Sequence, residues 1–219
     1  MNARLNFLEE LNRLRHDILA MGTRVEEDLG KAVTALRTSD IELAKEVIRD
    51  DAVVNAMQLK IEDETAIVIA TQQPVARDLR EMVTIFKLTS SLERIGDHAV
   101  HLANTVVRLS GEPPFRSFEH MEKMAETGRE MIRSAISSYL NQDAESARKT
   151  ASMDDAIDRE HKELTEEVLS LMKEHPELIK QATRLLHTSS QLERLWDHIT
   201  NICENIIYMA EGRHEELNE

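Results

Sequence analysis

Two seven-residue segments of this 219-residue chain carry the same charged and titratable side chains. Both Leu92–His98 and Leu192–His198 read Leu-Glu-Arg-x-x-Asp-His, and the two copies lie 100 residues apart. Carboxylates and imidazoles are the groups with which proteins bind metal ions and transfer protons. A duplication that keeps these groups while their apolar neighbours change indicates that each copy retains a site.

The two acids of each segment are four residues apart, which places both carboxylates on one face of a helix. Glu93 and Asp97 form this pair in the first copy, and Glu193 and Asp197 form it in the second. Like charges at this spacing repel each other and destabilise an isolated helix. A cationic partner, either an arginine or a metal ion, is therefore expected beside each pair.

A further set of acids interrupts the apolar stripe of the preceding helix in each half. Asp51 with Asn55 lies in the first half, and Asp154 with Asp158 lies in the second. Sequential helices joined by short turns run antiparallel, so these side chains should face the acid pair of the following helix. The predicted metal ligands are Asp51, Glu93, Asp97, Asp154, Asp158, Glu193 and Asp197. With four acids against three, the second site is expected to bind more strongly.

Clustered carboxylates suit hard or borderline ions. The expected cofactor is a divalent or ferric ion, namely iron, manganese, magnesium or zinc, although the lack of cysteine ligands argues against a structural zinc site. An alternative is a solvated acidic face with intrahelical ion pairs to Arg94 and Arg194. His98 and His198 are either metal ligands, groups that orient the ligands, or polar residues at a bundle edge.

The composition excludes several classes of function. A formal charge of −14 opposes binding to nucleic acid or to an anionic bilayer, because both demand clustered Lys and Arg. The longest uncharged run, 65–76, has 12 residues including Pro74, too short and too polar for membrane insertion. The single cysteine, Cys203, cannot form an intrachain disulfide, and the charged segment 1–15 is not a signal peptide. We therefore predict a cytoplasmic protein.

Apolar residues recur at three- and four-residue spacing along nearly the whole chain, which is the period of an α-helix. Asp40-x-Glu42-x-Ala44 parallels Asp143-x-Glu145-x-Ala147 at an offset of 103, so the duplication reaches beyond the acidic segments. We predict an all-α fold of two tandem three-helix bundles, one in domain 1–112 and one in domain 113–219. The predicted helices span about 3–37, 40–71, 75–109, 117–140, 143–174 and 177–211.

These residues resemble the PhoU family of phosphate-signalling proteins, whose third helices read Glu-Arg-x-x-Asp-His-x-x-Asn-Ile-Ala-Glu. The second copy matches this pattern with Cys203 in place of the alanine. The first copy has His101 for the asparagine and Asn104 for the final glutamate, so its affinity or metal preference is expected to differ. The segment 72–80, Gln-Gln-Pro-Val-Ala-Arg-Asp-Leu-Arg, also resembles the family's most characteristic stretch.

The resemblance implies a non-enzymatic accessory protein of the phosphate ABC transporter that also negatively regulates phosphate-starvation signalling through a two-component system. The implied partners are the transporter's ATPase subunit and a sensor histidine kinase, and the implied assembly is a homodimer or larger. The resemblance further implies a multinuclear metal cluster at the acidic motif of each bundle, which would make the protein a metal-binding adaptor.

Two other functions compete with this interpretation. A di-iron carboxylate enzyme also places acids and histidines on bundle helices, but it expects Glu-x-x-His on facing helices of a four-helix bundle. A non-catalytic helical scaffold without metal is the second alternative. The sequence contains no Gly-rich phosphate loop, nucleophile elbow or kinase signature, which disfavours nucleotide hydrolysis.

Overall fold

The computed structural model describes residues 3–109 and 119–217, and these ranges contain α-helices, one 3-10 helix and no β-strand. The all-α prediction is therefore confirmed. No helix in the described ranges is both long enough and apolar enough to span a bilayer. The helices are α1 (Ala3–Thr38), α2 (Ile41–Gln72), α3 (Ala76–Arg108), α4 (Glu119–Asn141), α5 (Ala144–Ala151), α6 (Asp154–Glu174) and α7 (Ile179–Glu211), with the 3-10 helix at Pro176–Leu178.

Each half of the chain forms an up-down-up bundle. In the first bundle α1, α2 and α3 pack against one another, and in the second α4 and α7 pack together and against α5 and α6. The predicted pair of three-helix bundles is confirmed, with α5 and α6 together occupying the place of the middle helix. The predicted domain boundary between residues 112 and 113, and the predicted start of the fourth helix at 117, lie outside the described residues.

The prediction of one continuous helix over 143–174 was wrong, because the chain leaves the α-helical hydrogen-bond pattern at Ser152 and Met153. The Met153 N–H donates to the Thr150 carbonyl at 3.1 Å, a three-residue spacing in place of the α-helical four. The Ser152 hydroxyl donates to the Lys149 carbonyl at 2.9 Å. The next helix, α6, begins anew at Asp154.

The turn between the first two helices of each bundle is built in the same way. Ser39 and Gln142 both adopt a left-handed conformation with φ of 55°. The following aspartate then caps the next helix: Asp40 accepts a hydrogen bond from the Leu43 N–H, and Asp143 accepts from the Glu145 and Ser146 N–H groups. The offset of 103 residues thus corresponds to a matched turn and helix cap.

The two bundles pack side by side along two antiparallel helix pairs, α3 with α7 and α1 with α4. The Thr84 hydroxyl of α3 donates to the Asn205 carbonyl of α7 at 3.3 Å. Between α1 and α4, the Arg129 guanidinium pairs with the Glu26 carboxylate at 2.8 Å. Buried apolar side chains of both bundles form one continuous cluster, so the halves share a core.

A large and a small residue exchange places between the two bundles. Trp196 of α7 is fully buried against Gly128 of α4, where an added Cβ would overlap the indole ring. At the equivalent positions of the first bundle, α3 carries Gly96 and α1 carries Val25. An added Cβ at Gly96 would lie 3.3 Å from the Val54 Cγ1 atom and 4.0 Å from a Val25 methyl group. Each bundle therefore fills the same space with a different pair.

We predict that Gly128→Ala lowers the free energy of unfolding by about 2–3 kcal/mol, because overlap with the Trp196 ring outweighs the better helix propensity of alanine. Gly96→Ala is the matched control and should stay within about 1 kcal/mol of wild type, since Val54 needs to move only slightly. Urea unfolding followed by circular dichroism measures both. Equal stabilities of the two variants would show that the Trp196 packing has been misassigned.

Candidate metal centres

The first bundle brings three of the predicted acids together. Asp51 on α2 and Glu93 on α3 are partly buried, and Asp97 lies one turn beyond Glu93 on the exposed side. Burial, followed by the charge of Asp97, raises the pKa of both Asp51 and Glu93. The Asn55 amide donates to the Asp51 carboxylate at 3.1 Å, and its own buried oxygen has no hydrogen-bond partner within the described residues. The expected facing of the middle and third helices is thus observed.

The second bundle gathers the other four acids around one groove of about 450 Å³. Asp154 and Asp158 line it from α6, and Glu193 and Asp197 line it from α7. Burial raises the pKa of Glu193, and the neighbouring Asp197 raises it further. This groove contains every residue predicted for the second site.

Asp154 is the most perturbed acid of the groove. Burial, and then the charges of Asp158, Asp197 and Glu193, raise its pKa to about 7. Asp154 lies in the first turn of α6, where the positive end of the helix dipole offsets negative charge by about 0.3–1 kcal/mol. That contribution is too small to cancel the repulsion from three other carboxylates, so an added cation would be favoured here.

No side chain among the described residues supplies that cation. Within residues 3–109 and 119–217, none of the seven predicted acids has a Lys, Arg or His nitrogen within the 4.0 Å of a salt bridge. Arg148 lines the groove, but its guanidinium is paired with Glu211 at 3.0 Å and with Glu215 at 2.7 Å. The intrahelical ion pairs to Arg94 and Arg194, which the solvated-face alternative expects, are not formed in the described structure.

The donor chemistry of both sites fits a hard or borderline metal ion, because each offers several carboxylate oxygens that no described Lys or Arg pairs with. The carboxylates are not collected into a finished coordination sphere. Among the described residues, the one group of three acid, histidine or cysteine side chains whose ligand atoms lie within 4.8 Å of one another is His120, Glu160 and Glu163. The predicted ligands would have to change side-chain rotamers to surround an ion.

The His120 cluster was missed by the sequence analysis, and its contacts are a hydrogen bond to Glu160 and a nearby lysine. The His120 Nδ1 atom lies 2.7 Å from a Glu160 oxygen, and Lys123 lies 3.8 Å from that same oxygen. Because these side chains come from α4 and α6, their proximity depends on how the two helices pack. No spacing along the sequence signals it.

The motif histidines lie between the bundles. The rings of His98 and His198 face each other across the α3–α7 interface with centroids 5.7 Å apart. Burial, and then the nearby His198, lower the pKa of His98 to about 4, and burial also lowers the pKa of His198. The His98 ring is therefore neutral near pH 7. Its Nδ1 atom is buried without a hydrogen-bond partner in the described structure.

Three neighbours of the acidic sites were also missed. Gln58 and Glu62 extend the Asp51–Asn55 face of α2, and the Gln58 amide donates to Glu62 at 3.0 Å. In the second bundle His161 occupies the position equivalent to Gln58, and its proximity offsets part of the rise in the pKa of Glu193 that burial and Asp197 cause. A signal was available, because Asp51, Asn55, Gln58 and Glu62 follow one another at helical spacing of four, three and four residues.

Compared with families of known proteins, the chain matches the PhoU domain twice, over residues 18–106 and 121–206. The phosphate-specific transport system accessory protein PhoU homolog of Clostridium acetobutylicum is 33% identical over 214 residues, which cover 97% of this chain and 98% of the relative. The homolog of Pseudomonas putida is 36% identical over 208 residues, covering 94% of this chain and 81% of the relative.

Solved structures agree with these matches. The crystal structure of PhoU from Pseudomonas aeruginosa superposes with a TM-score of 0.88 at 34% identity, covering 94% of this chain and all of that one. The phosphate transport system regulatory protein PhoU from Streptococcus pneumoniae also gives a TM-score of 0.88, at 32% identity, covering 95% of this chain and 99% of that one.

The raised pKa of Asp154 predicts a pH-dependent gain in stability for Asp154→Asn in metal-free protein. The folded protein holds the Asp154 proton up to about pH 7, whereas the unfolded chain releases it near pH 3.8. The native state therefore binds more protons between these values, and its stability falls as pH rises through this window. The variant should be more stable than wild type by about 1–2 kcal/mol at pH 8, after allowance for solvent screening.

The gain should shrink at pH 5 and vanish below pH 4. Urea unfolding in the presence of chelator, at pH 5 and at pH 8, measures it. A variant that is less stable than wild type at pH 8 would show that the carboxylates do not repel one another.

Proposed function

The chain belongs to the PhoU family, and we propose that it is an accessory protein of the phosphate-specific transport system that negatively regulates phosphate-starvation signalling. Two observations support this proposal. The first is the similarity to named accessory and regulatory proteins over nearly the full length of the chain. The second, which carries the mechanistic part, is the pair of acidic sites whose carboxylates form no salt bridge within the described part of the chain.

The proposed mechanism is that of a metal-binding adaptor. Asp51, Glu93 and Asp97 would hold metal in the first bundle, and the four acids of the groove would hold it in the second. A bound divalent or ferric ion would supply positive charge that cancels the repulsion among these carboxylates. Since each site joins the middle and third helices of its bundle, loading would stiffen the helix pair and present a defined surface to a partner.

The proposed partners are the ATPase subunit of the phosphate transporter and the sensor histidine kinase of the phosphate response. The chain would bind them as a cytoplasmic homodimer. A non-enzymatic role suits the arrangement of the histidines. A di-iron enzyme would use histidines as ligands beside the carboxylates, whereas His98 and His198 face each other between the bundles. Oxygen consumption after addition of Fe²⁺ separates the two functions, because an adaptor shows no turnover.

We expect Glu193→Ala and Asp197→Ala to bind metal at least about tenfold more weakly at the second site than wild type does. Inductively coupled plasma measurement on protein purified without chelator gives the metal content of each variant. Asp155→Ala is the matched control, because it removes an exposed carboxylate from the same groove without touching the predicted ligands.

Equal metal content in wild type, Glu193→Ala and Asp197→Ala would contradict the metal-binding part of the proposal. Unchanged thermal stability and partner binding after chelation would favour the metal-free scaffold. Because the first bundle offers three acids, the corresponding Asp97→Ala variant should lose metal from the weaker of the two sites.

In phosphate-rich medium, deletion of the gene should raise expression of a phosphate-starvation reporter, and the wild-type chain should restore repression. A chain carrying both Glu193→Ala and Asp197→Ala should fail to restore it, whereas Asp155→Ala should succeed. The same cells allow a pull-down of the tagged chain. Recovery of the transporter ATPase or the sensor kinase with wild type is expected, and reporter expression indifferent to the deletion would refute the regulatory role.

A further inference from the structure

A second kind of pocket lies between α3 and α7, one helical turn beyond the paired histidines. Its volume is about 70 Å³. His101, Asn104 and Arg108 line it from α3, and His187 and Gln191 line it from α7. None of its lining residues is acidic, although the chain has a net charge of −14. The pocket therefore differs in polarity from both carboxylate sites.

Comparison of the two copies of the repeat shows which residues give the pocket this polarity. At the equivalent positions, 100 residues away, the second copy has Asn201 for His101, Glu204 for Asn104 and Tyr208 for Arg108. The first copy has thus exchanged an acid for an amide and gained a guanidinium and an imidazole. His101 and Asn104 are the two polar departures of the first copy from the PhoU pattern. The structure places both in this pocket, on the side of α3 that faces α7.

Several hydrogen-bond donors that line the pocket have no protein partner among the described residues. Within the described residues, Arg108, Asn104 and His187 make no hydrogen bond or salt bridge to the protein. By contrast, the Thr105 hydroxyl donates a hydrogen bond to the His101 carbonyl, and the Thr188 hydroxyl donates one to the Arg184 carbonyl. The threonines therefore offer only oxygen lone pairs to a ligand, and the charged and nitrogen donors remain available.

We propose that this pocket binds a tetrahedral oxyanion of the phosphate class. Arg108 supplies fixed positive charge and paired N–H donors, the geometry that suits an oxyanion. His101, His187, Asn104 and Gln191 supply further N–H donors, since even a neutral imidazole donates one. One buried water needs about 10–15 Å³, so a pocket of about 70 Å³ accommodates one small anion and excludes a nucleotide.

The pocket also contains acceptors that distinguish phosphate from sulfate. The amide oxygens of Asn104 and Gln191 can accept the O–H of hydrogen phosphate, a donor that sulfate lacks. A site that pairs its acceptors with a ligand hydroxyl rejects an analogue without one. This inference goes beyond the adaptor role proposed above and does not depend on metal binding.

Isothermal titration of inorganic phosphate into the full-length protein, at constant ionic strength, tests the proposal. We expect saturable binding in which Arg108→Gln weakens affinity at least about tenfold. The double variant His101→Asn with Asn104→Glu, which restores the residues of the second copy, should abolish binding. Lys87→Gln is the matched control, because Lys87 is the repeat equivalent of His187, and it should change affinity less than about twofold.

The outcomes are separable from those of the metal experiments. Sulfate should compete at least about tenfold more weakly than phosphate, because the amide acceptors would be left unpaired. Binding that survives Arg108→Gln but disappears in Glu193→Ala or after chelation would place the anion on a metal ion and overturn the proposal. Absence of saturable binding to wild type would also overturn it. Metal content should be unchanged by Arg108→Gln in either case.

Discussion

The antiparallel packing of α3 against α7 is the constraint on which the rest of the structure depends. Both helices carry the repeated motif, and each helix makes three kinds of contact at the same time. Leu92 and Leu192 are buried in the shared core, and Glu93 and Glu193 face the second helix of their own bundle. The motif histidines meet between the two helices. A helix shifted along this interface would misplace all three contacts together.

The same packing separates charges of opposite sign. Carboxylates collect on the faces of α3 and α7 that turn toward α2 and α6, while imidazoles and the Arg108 guanidinium lie where α3 meets α7. Among the described residues, none of the seven predicted metal ligands forms a salt bridge with an arginine. The acidic groups and the basic groups therefore lie on different faces of the same two helices.

Much of the fold follows from local rules that act along the chain. The helical period predicted helices whose described ends agree within a few residues, apart from the break at Ser152. The rule that short turns join antiparallel helices predicted that Asp51 lies opposite Glu93. The break at Ser152 escaped prediction because no glycine or proline marks it in the sequence. The His120 contacts escaped because they depend on the register between α4 and α6.

The position of His101 shows a further limit of sequence reasoning. Helical spacing alone places His101 on the face of Glu93 and Asp97. Only the position of the neighbouring helix decides which groups its ring contacts. In the structure its ring lies 6.1 Å from that of His98 and lines the pocket shared with α7. Pairing of helices within a bundle is encoded by short turns, but packing between bundles depends on how side chains of α3 and α7, which are distant in sequence, fit together.

The burial of Trp196 has a practical consequence. This is the one tryptophan of the chain, it is fully buried, and it precedes Asp197 directly. Intrinsic fluorescence excited at the indole band thus originates from a single ring in the second bundle and is silent about the first. The emission spectrum is a local optical probe, built into the native protein, of one half of a duplicated molecule.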